Sequence, residues 1–329
     1  MLACATPGAA IQPAAALTQW PDDTKPRFRY VGSAPTANSG SRSFWTRFAD
    51  ALTGRDTPDP ASAVRHPHGV LARRDILWIS DPGAQMLWRL NLKTAEFLAL
   101  ACDETLALQT PLGMTFGQND DVFVADADAG HIVRFSADLQ CVDAFGGDRL
   151  RRPTDIAWLE VLQRFVVVDA AAHALVFFNA DFSYHSRIGG RGPGNGQFNF
   201  PTHATVTGEG HIYVGDVLNF RIQQFDAASH NWLGAFGSWG TAPGLFNKTK
   251  GVAVDSQGHI YVADAMQDQI FVYSDNGDFL LAFGGPGDGP GNLRMPSGIA
   301  VDEYDRIFVA DSLNGRVQIF QYLAEAGTP

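Results

Sequence analysis

The sequence predicts an all-β protein: a six-bladed β-propeller of four-stranded antiparallel blades, closed by an N-terminal strand, with one short N-terminal helix. Three observations predict it. An Asp ending a hydrophobic run recurs six times, at Asp81, Asp126, Asp169, Asp216, Asp264 and Asp311, with spacings of 45, 43, 47, 48 and 47 residues. Each period holds short runs rich in Val, Ile, Phe and Tyr, punctuated by Gly, Pro, Asp and Asn, which read as strands and turns. A run near the N-terminus supplies a strand that the last period lacks. A period in the forties with four strands per period is the pattern of propeller blades.

Blade 5 is the cleanest copy. Thr249-Lys250-Gly251 opens a turn, and Val252-Ala253-Val254-Asp255 is the inner strand. Ile260-Tyr261-Val262-Ala263-Asp264 is the second strand, Ile270-Phe271-Val272-Tyr273 the third, and Phe279 to Gly284 the fourth. Blade 6 repeats this as far as its third strand, Arg316-Val317-Gln318-Ile319-Phe320, and then the chain runs out. Phe28-Arg29-Tyr30-Val31-Gly32-Ser33 matches the fourth-strand ending Leu233-Gly234-Ala235-Phe236-Gly237-Ser238. Residues 27–33 are therefore expected to close blade 6, which removes sheet edges that invite aggregation.

Ile260-Tyr261-Val262-Ala263-Asp264, Asn219-Phe220-Arg221-Ile222-Gln223-Gln224-Phe225 and Asn314-Gly315-Arg316-Val317-Gln318-Ile319-Phe320 carry a resemblance to the NHL-repeat family. It covers the chain from residue 64 to 322. Blades 4 to 6 fit well. Blade 3 has Asp155 where the repeat has Gly, and blade 1 lacks the Phe-Gly ending. The resemblance implies six blades but no single activity, because members include RNA binders, protein scaffolds and an amidating lyase.

The domain reading follows. Residues 1–26 form a polar, Ala/Pro-rich tether, residues 27–322 the propeller with a helical insertion at 41–54, and residues 323–329 a tail. Phe44, Trp45, Phe48 and Leu52 fall at helical spacing between a Ser start and a Gly stop. That helix either packs under the propeller or docks a partner or a membrane.

Lys and Arg number 24 against 35 Asp and Glu, a net charge of −11. This argues against a nucleic-acid partner, which needs a basic face. Arg149-Leu150-Arg151-Arg152 is the one dense basic run and reads most simply as a solvated loop. No stretch approaches the ~20 apolar residues of a membrane span. Met1-Leu2-Ala3-Cys4 resembles the start of a bacterial lipoprotein, although the preceding hydrophobic segment is missing, so Cys4 is the lipidation candidate. The chain is then expected in the bacterial envelope, periplasmic or on the outer membrane, as a monomer touching membrane only through that anchor. Cys102 and Cys141 are expected at opposite ends of adjacent outer strands, too far apart to bridge, and hence free.

In propellers of this type the turn before the inner strand and the turn between second and third strands share the face around the central channel. The two residues after each Pro-equivalent position form a ring: His68-Gly69, Leu112-Gly113, Thr154-Asp155, Thr202-His203, Lys250-Gly251 and Ser297-Gly298. Four blades keep Gly at the second position, whereas blades 3 and 4 carry Asp155 and His203. Breaks in a repeat rule mark functional or strained positions. His68, Thr154, Asp155, Thr202, His203 and Lys250 are accordingly the candidate ligand-binding set, with Asp155 and His203 within reach of each other. An acid, two imidazoles and an amine suit a polar ligand or proton transfer. The plainer reading is that they line a solvated channel and bond to waters. Calcium or zinc at the channel is conceivable, but no HxxxH or CxxC element supports it, and no other blade has a His in register with His203. His131 and His173 sit in second-to-third-strand turns. The six repeat Asp residues, and Asn219, Arg221, Asn314 and Arg316, read as architecture. Trp239 tips a Gly-rich connection, either exposed or buried between blades.

The functional expectation is a non-enzymatic scaffold binding a protein or small polar ligand at the channel face. The alternative is a metal-dependent lyase or hydrolase resembling the peptidyl-hydroxyglycine amidating lyase.

Overall fold

The computed structural model describes residues 27–34 and 64–323, together with the backbone of Thr6–Pro7, Gln12–Pro13 and Gln19–Trp20. Cys4, the helix expected over 41–54 and residues 324–329 lie outside the described residues.

Six four-stranded antiparallel blades follow one another along the chain. Blade 1 is Val70–Arg73, Ile76–Asp81, Met86–Asn91 and Glu96–Leu100. Blade 2 is Pro111–Phe116, Val122–Asp126, His131–Phe135 and Cys141–Phe145. Blade 3 is Pro153–Leu159, Arg164–Asp169, Ala174–Asn179 and Tyr184–Gly189. Blade 4 is Pro201–Val206, His211–Asp216, Arg221–Asp226 and Trp232–Phe236. Blade 5 is Thr249–Val254, Ile260–Asp264, Gln269–Tyr273 and Phe279–Gly284.

Blade 6 takes Pro296–Val301, Arg306–Asp311 and Arg316–Tyr322 from the C-terminal end and Phe28–Ala34 from the N-terminal end. The closing strand runs antiparallel to the third, from Tyr322 opposite Phe28 to Val317 opposite Ala34. Gln12–Pro13 and Gln19–Trp20 pair with this closing strand, and Thr6–Pro7 pairs with the outer strand of blade 1.

A blade buries both faces against its neighbours, so its middle strands carry apolar residues without alternation. Phe165, Val166, Val167 and Val168 are all buried. The core is accordingly six inter-blade seams, one at each junction around the ring. The seam between blades 6 and 1 joins Phe308 and Val317 to Ile79 and Leu90, which completes the circle.

The repeat Asp residues have the architectural role expected of them. All six are fully buried at the end of a second strand. Asp126 accepts the N–H groups of Gln109 and Thr110, and Asp169 those of Arg151 and Arg152. Asp264 does the same for Asn247 and Lys248. Each carboxylate thus fixes the turn that enters the inner strand of its own blade. In blade 6, Asn314, Arg316 and Gln318 also donate to Asp311, and Arg316 continues to the carbonyls of Gly289 and Asn292. Asn219, Arg221 and Gln223 repeat this around Asp216.

One expectation is corrected. Cys102 and Cys141 are not free: they form a disulfide, with Cα atoms 5.3 Å apart. The expectation placed them at opposite ends of adjacent outer strands and took that separation as too large to bridge. Strands in a sheet rotate by about 20–25° from one to the next, so a fourth strand is swung well away from the propeller axis. The end of one outer strand can then approach the start of the next. The bridge ties blade 1 to blade 2 beside the apolar seam of Trp78, Met114 and Phe135.

Candidate binding site at the channel mouth

Inner strands start at Pro in blades 2, 3, 4 and 6, a position where the missing N–H removes no ladder bond. Immediately afterwards the pairing with the second strand slips. The register breaks between Pro153 and Asp155, Pro201 and Ala204, Thr249 and Val252, and Pro296 and Ile299. Such bulges re-aim side chains at the rim of a sheet. Here they turn the ring residues toward the axis.

The result is two connected spaces. A central channel of about 230 Å³ is lined by inner-strand residues that include Gly69, Gly113, Asp155, His203 and Gly298. Above it, on the face that carries the strand starts, lies a mouth chamber of about 330 Å³. His68, Thr154, Thr202, His203 and Lys250 line the chamber, joined by Thr110, Leu112, Arg152, Ala170 and Phe200. His203 lines both spaces and stands at their boundary. The structure therefore gathers five of the six candidate residues around the chamber and places Asp155 just beneath it.

His68 and His203 come from blades 1 and 4, opposite one another in the ring. Their rings stack across the axis, with centroids 5.3 Å apart and planes 15° from parallel. His203 is 4% exposed, and neither of its ring nitrogens has a hydrogen-bond partner among the described residues. His68 Nδ1 and Thr202 Oγ1 are likewise buried and unpartnered. Burial, with the Lys250 amine nearby, pushes the His68 pKa down to about 3. Burial drives His203 well below the usual histidine range, and His68 and Lys250 add to the effect. Lys250 is itself lowered, by burial and by Lys248.

The expected pairing of Asp155 with His203 is not made. Asp155 instead accepts the N–H of Ile156 and, across the blade junction, the N–H of Ala204, each at 2.9 Å. It occupies space that only a glycine leaves free: a Cβ on Gly113 would sit 1.8 Å from its Oδ1. Gly113 and Asp155 are thus one packing unit. Burial outweighs the two N–H bonds and raises the Asp155 pKa to about 7.

The other candidates separate cleanly. His173 Nδ1 accepts the N–H of Phe200 at 3.1 Å and its ring packs on Phe200, a supporting role. Neither His131 nor His173 lines the chamber. Arg149 pairs with Asp148 and lies over the Tyr184 ring, as a solvated loop residue would. Arg152, from the same run, lines the chamber while paired with Asp128. Trp239 is 68% exposed. Among the described residues no group of three or more His, Cys, Asp or Glu side chains is arranged to hold a metal ion. The ligand set that a channel zinc or calcium would use is not found there.

Sequence reasoning missed Thr110, Arg152 and Phe200. A signal existed, since each directly precedes the Pro that opens an inner strand. The residue before the Pro forms an upper ring, just as the two after it form the lower one.

Comparison with known proteins gives the class first. A family model described as a 6-bladed beta-propeller matches residues 247–328. NHL repeat-containing protein 3 of Homo sapiens is 28% identical over 179 residues, or 53% of this chain, and the chain spans 43% of that relative's length. The chain is an NHL-like six-bladed propeller. Among solved structures, a streptogramin B lyase superposes with a TM-score of 0.57 at 12% identity, over 82% of this chain and 81% of that one. An auxiliary nutrient binding protein from Bacteroides thetaiotaomicron gives 0.62 at 10% identity, over 79% and 70%. These neighbours share the fold and differ in what they do, so function has to be argued from the site.

Proposed function

We propose that this chain is a non-enzymatic binding protein of the bacterial envelope that takes a polar ligand in the channel-mouth chamber. One observation carries the reading. Four buried polar atoms at the chamber, both ring nitrogens of His203, Nδ1 of His68 and Oγ1 of Thr202, have no partner among the described residues. An unmade hydrogen bond at a buried polar group costs roughly 1–3 kcal/mol, and native proteins leave few such groups unexplained. A ligand that bonds them removes that penalty.

Two further features support the setting. The Cys102–Cys141 bridge suits an oxidising compartment, in line with the lipoprotein-like Met1-Leu2-Ala3-Cys4 start. The same face also carries exposed apolar side chains over blades 4 to 6: Phe200, Leu218, Trp239, Met266, Met295 and Leu313. A ligand larger than the chamber, or a protein presenting it, would meet these first.

The test is a thermal-shift screen of polar metabolites against the parent and a Thr202→Trp variant, whose indole fills the chamber. Binders should raise Tm of the parent by mass action and leave the filled variant unmoved. A screen in which every stabilising compound acts equally on both proteins contradicts a chamber site.

A further inference from the structure

The chamber differs from the rest of the molecule in charge. The chain has net charge −11, yet among the described residues no Asp or Glu lines the chamber. Its ionisable lining is Lys250, Arg152, His68 and His203. Arg152 is compensated by Asp128, outside the lining. Among the described residues Lys250 has no such carboxylate: the charged group that perturbs it is Lys248, another cation. The nearest acid of the lower ring, Asp155, lines the channel beneath rather than the chamber, and its oxygens are committed to the Ile156 and Ala204 N–H groups. A largely desolvated ammonium without a counter-ion is an unfavourable arrangement that an anion relieves.

We propose that the chamber binds an oxyanion, the carboxylate or phosphate group of a small ligand, on Lys250 with His68, His203 and Thr202 as hydrogen-bonding partners. This rests on the binding reading above and names the ligand's chemistry. Each neutral imidazole has one N–H to donate, and the threonine hydroxyl adds another. Together with the ammonium they converge on an acceptor-only group. At ~30 Å³ per water-sized group the chamber has room for roughly ten. The bound species is therefore a small metabolite or one end of a larger one. The negative exterior repels free anions at long range and favours ligands of low net charge.

Inorganic phosphate, succinate and its uncharged diamide, succinamide, are the probes, read by calorimetric titration and by Tm on the parent chain. Saturable binding of phosphate, of succinate or of both is the expected result, and which of them binds identifies the oxyanion. Lys250→Met should weaken that binding about tenfold or more, the effect of losing a hydrogen bond to a charged group, without lowering Tm of the free protein. Thr202→Val should weaken it less, and Lys93→Met, on an exposed turn, should leave it unchanged. Three outcomes overturn the proposal: no binding of either anion at millimolar concentration, equal binding by Lys250→Met, or succinamide binding as well as succinate. In the last case the chamber still binds and only the charge assignment falls. If the Thr202→Trp comparison also finds no chamber ligand of any kind, the binding reading falls with it.

Discussion

Deleting residues 27–34 is expected to leave a protein with no cooperative melt that elutes as an aggregate. The closing strand supplies Phe28 and Tyr30, at 1% and 4% exposure, to the seam between blades 5 and 6. Phe28 stacks on Phe283 at 4.8 Å and meets Tyr261 and Tyr322, while Tyr30 packs edge-on against Phe320. Truncating a buried aromatic to Ala costs about 3–5 kcal/mol. Two such losses approach the whole stability of a typical domain, about 5–15 kcal/mol. The deletion also bares the hydrogen-bonding edge of Arg316–Tyr322, a template for intermolecular pairing. Size-exclusion chromatography and a circular-dichroism melt read the outcome. A truncated protein that stays monomeric and melts with the parent contradicts the closure. Phe28→Ala alone should destabilise by about 3–5 kcal/mol.

Replacing both bridged cysteines, Cys102→Ser with Cys141→Ser, is expected to lower unfolding free energy by about 4 kcal/mol, from the closure entropy of a loop of this length. The two residues are 39 apart in sequence. The loop they close contains the blade 1 to blade 2 crossing and three strands of blade 2, so its release loosens one seam of the ring. Urea unfolding of the parent, the double variant and the reduced parent measures this. The reduced parent should fall with the double variant. Thiol titration of the unreduced, denatured parent that finds Cys102 and Cys141 free contradicts the bridge and withdraws its support for an oxidising compartment.

Most of the fold was legible because a propeller repeats its instructions. Six buried Asp residues must each accept turn N–H groups at the same place in a blade, so their spacing alone counts the blades. The closing strand was legible because Phe28 to Ser33 repeats an outer-strand ending. Site positions were legible for the same reason: once the Pro, or its equivalent, at the entry to each inner strand is known, the next two residues fall on the ring. The contacts made by those residues were not legible. His68 sits one place earlier than His203 in its blade's turn, and nothing in that offset showed that the two rings would stack. Their blades face one another across the axis, and this offset accompanies a stacked pair. Asp155 looked available to His203 but is held by a backbone N–H and fitted over Gly113, a relation between three blades that no single repeat displays. The disulfide was missed because strand twist accumulates outward, and a linear period carries no record of it.

The central claim of the proposal is that the channel mouth buries polar side chains whose hydrogen bonds are left for a ligand to make. The most direct test is an NMR pH titration of the ligand-free protein, following the His68 ring and the Asp155 carboxyl. In water a carboxylic acid of this kind titrates near 3.9 and an imidazole near about 6.5. The account predicts the inverted order: the acid at about 7 and the imidazole at about 3. The linkage signs follow. The folded pKa of His68 lies below its unfolded value, so its contribution to stability is complete above about 6.5 and lost as pH falls toward 3. The folded pKa of Asp155 lies above its unfolded value, so its contribution is complete below about 3.9 and lost as pH rises through about 7. Inverted titrations support the burial of His68 at the chamber and of Asp155 in the channel beneath it, on which the proposal rests; a carboxyl titrating near 4 together with an imidazole near 6.5 would contradict it.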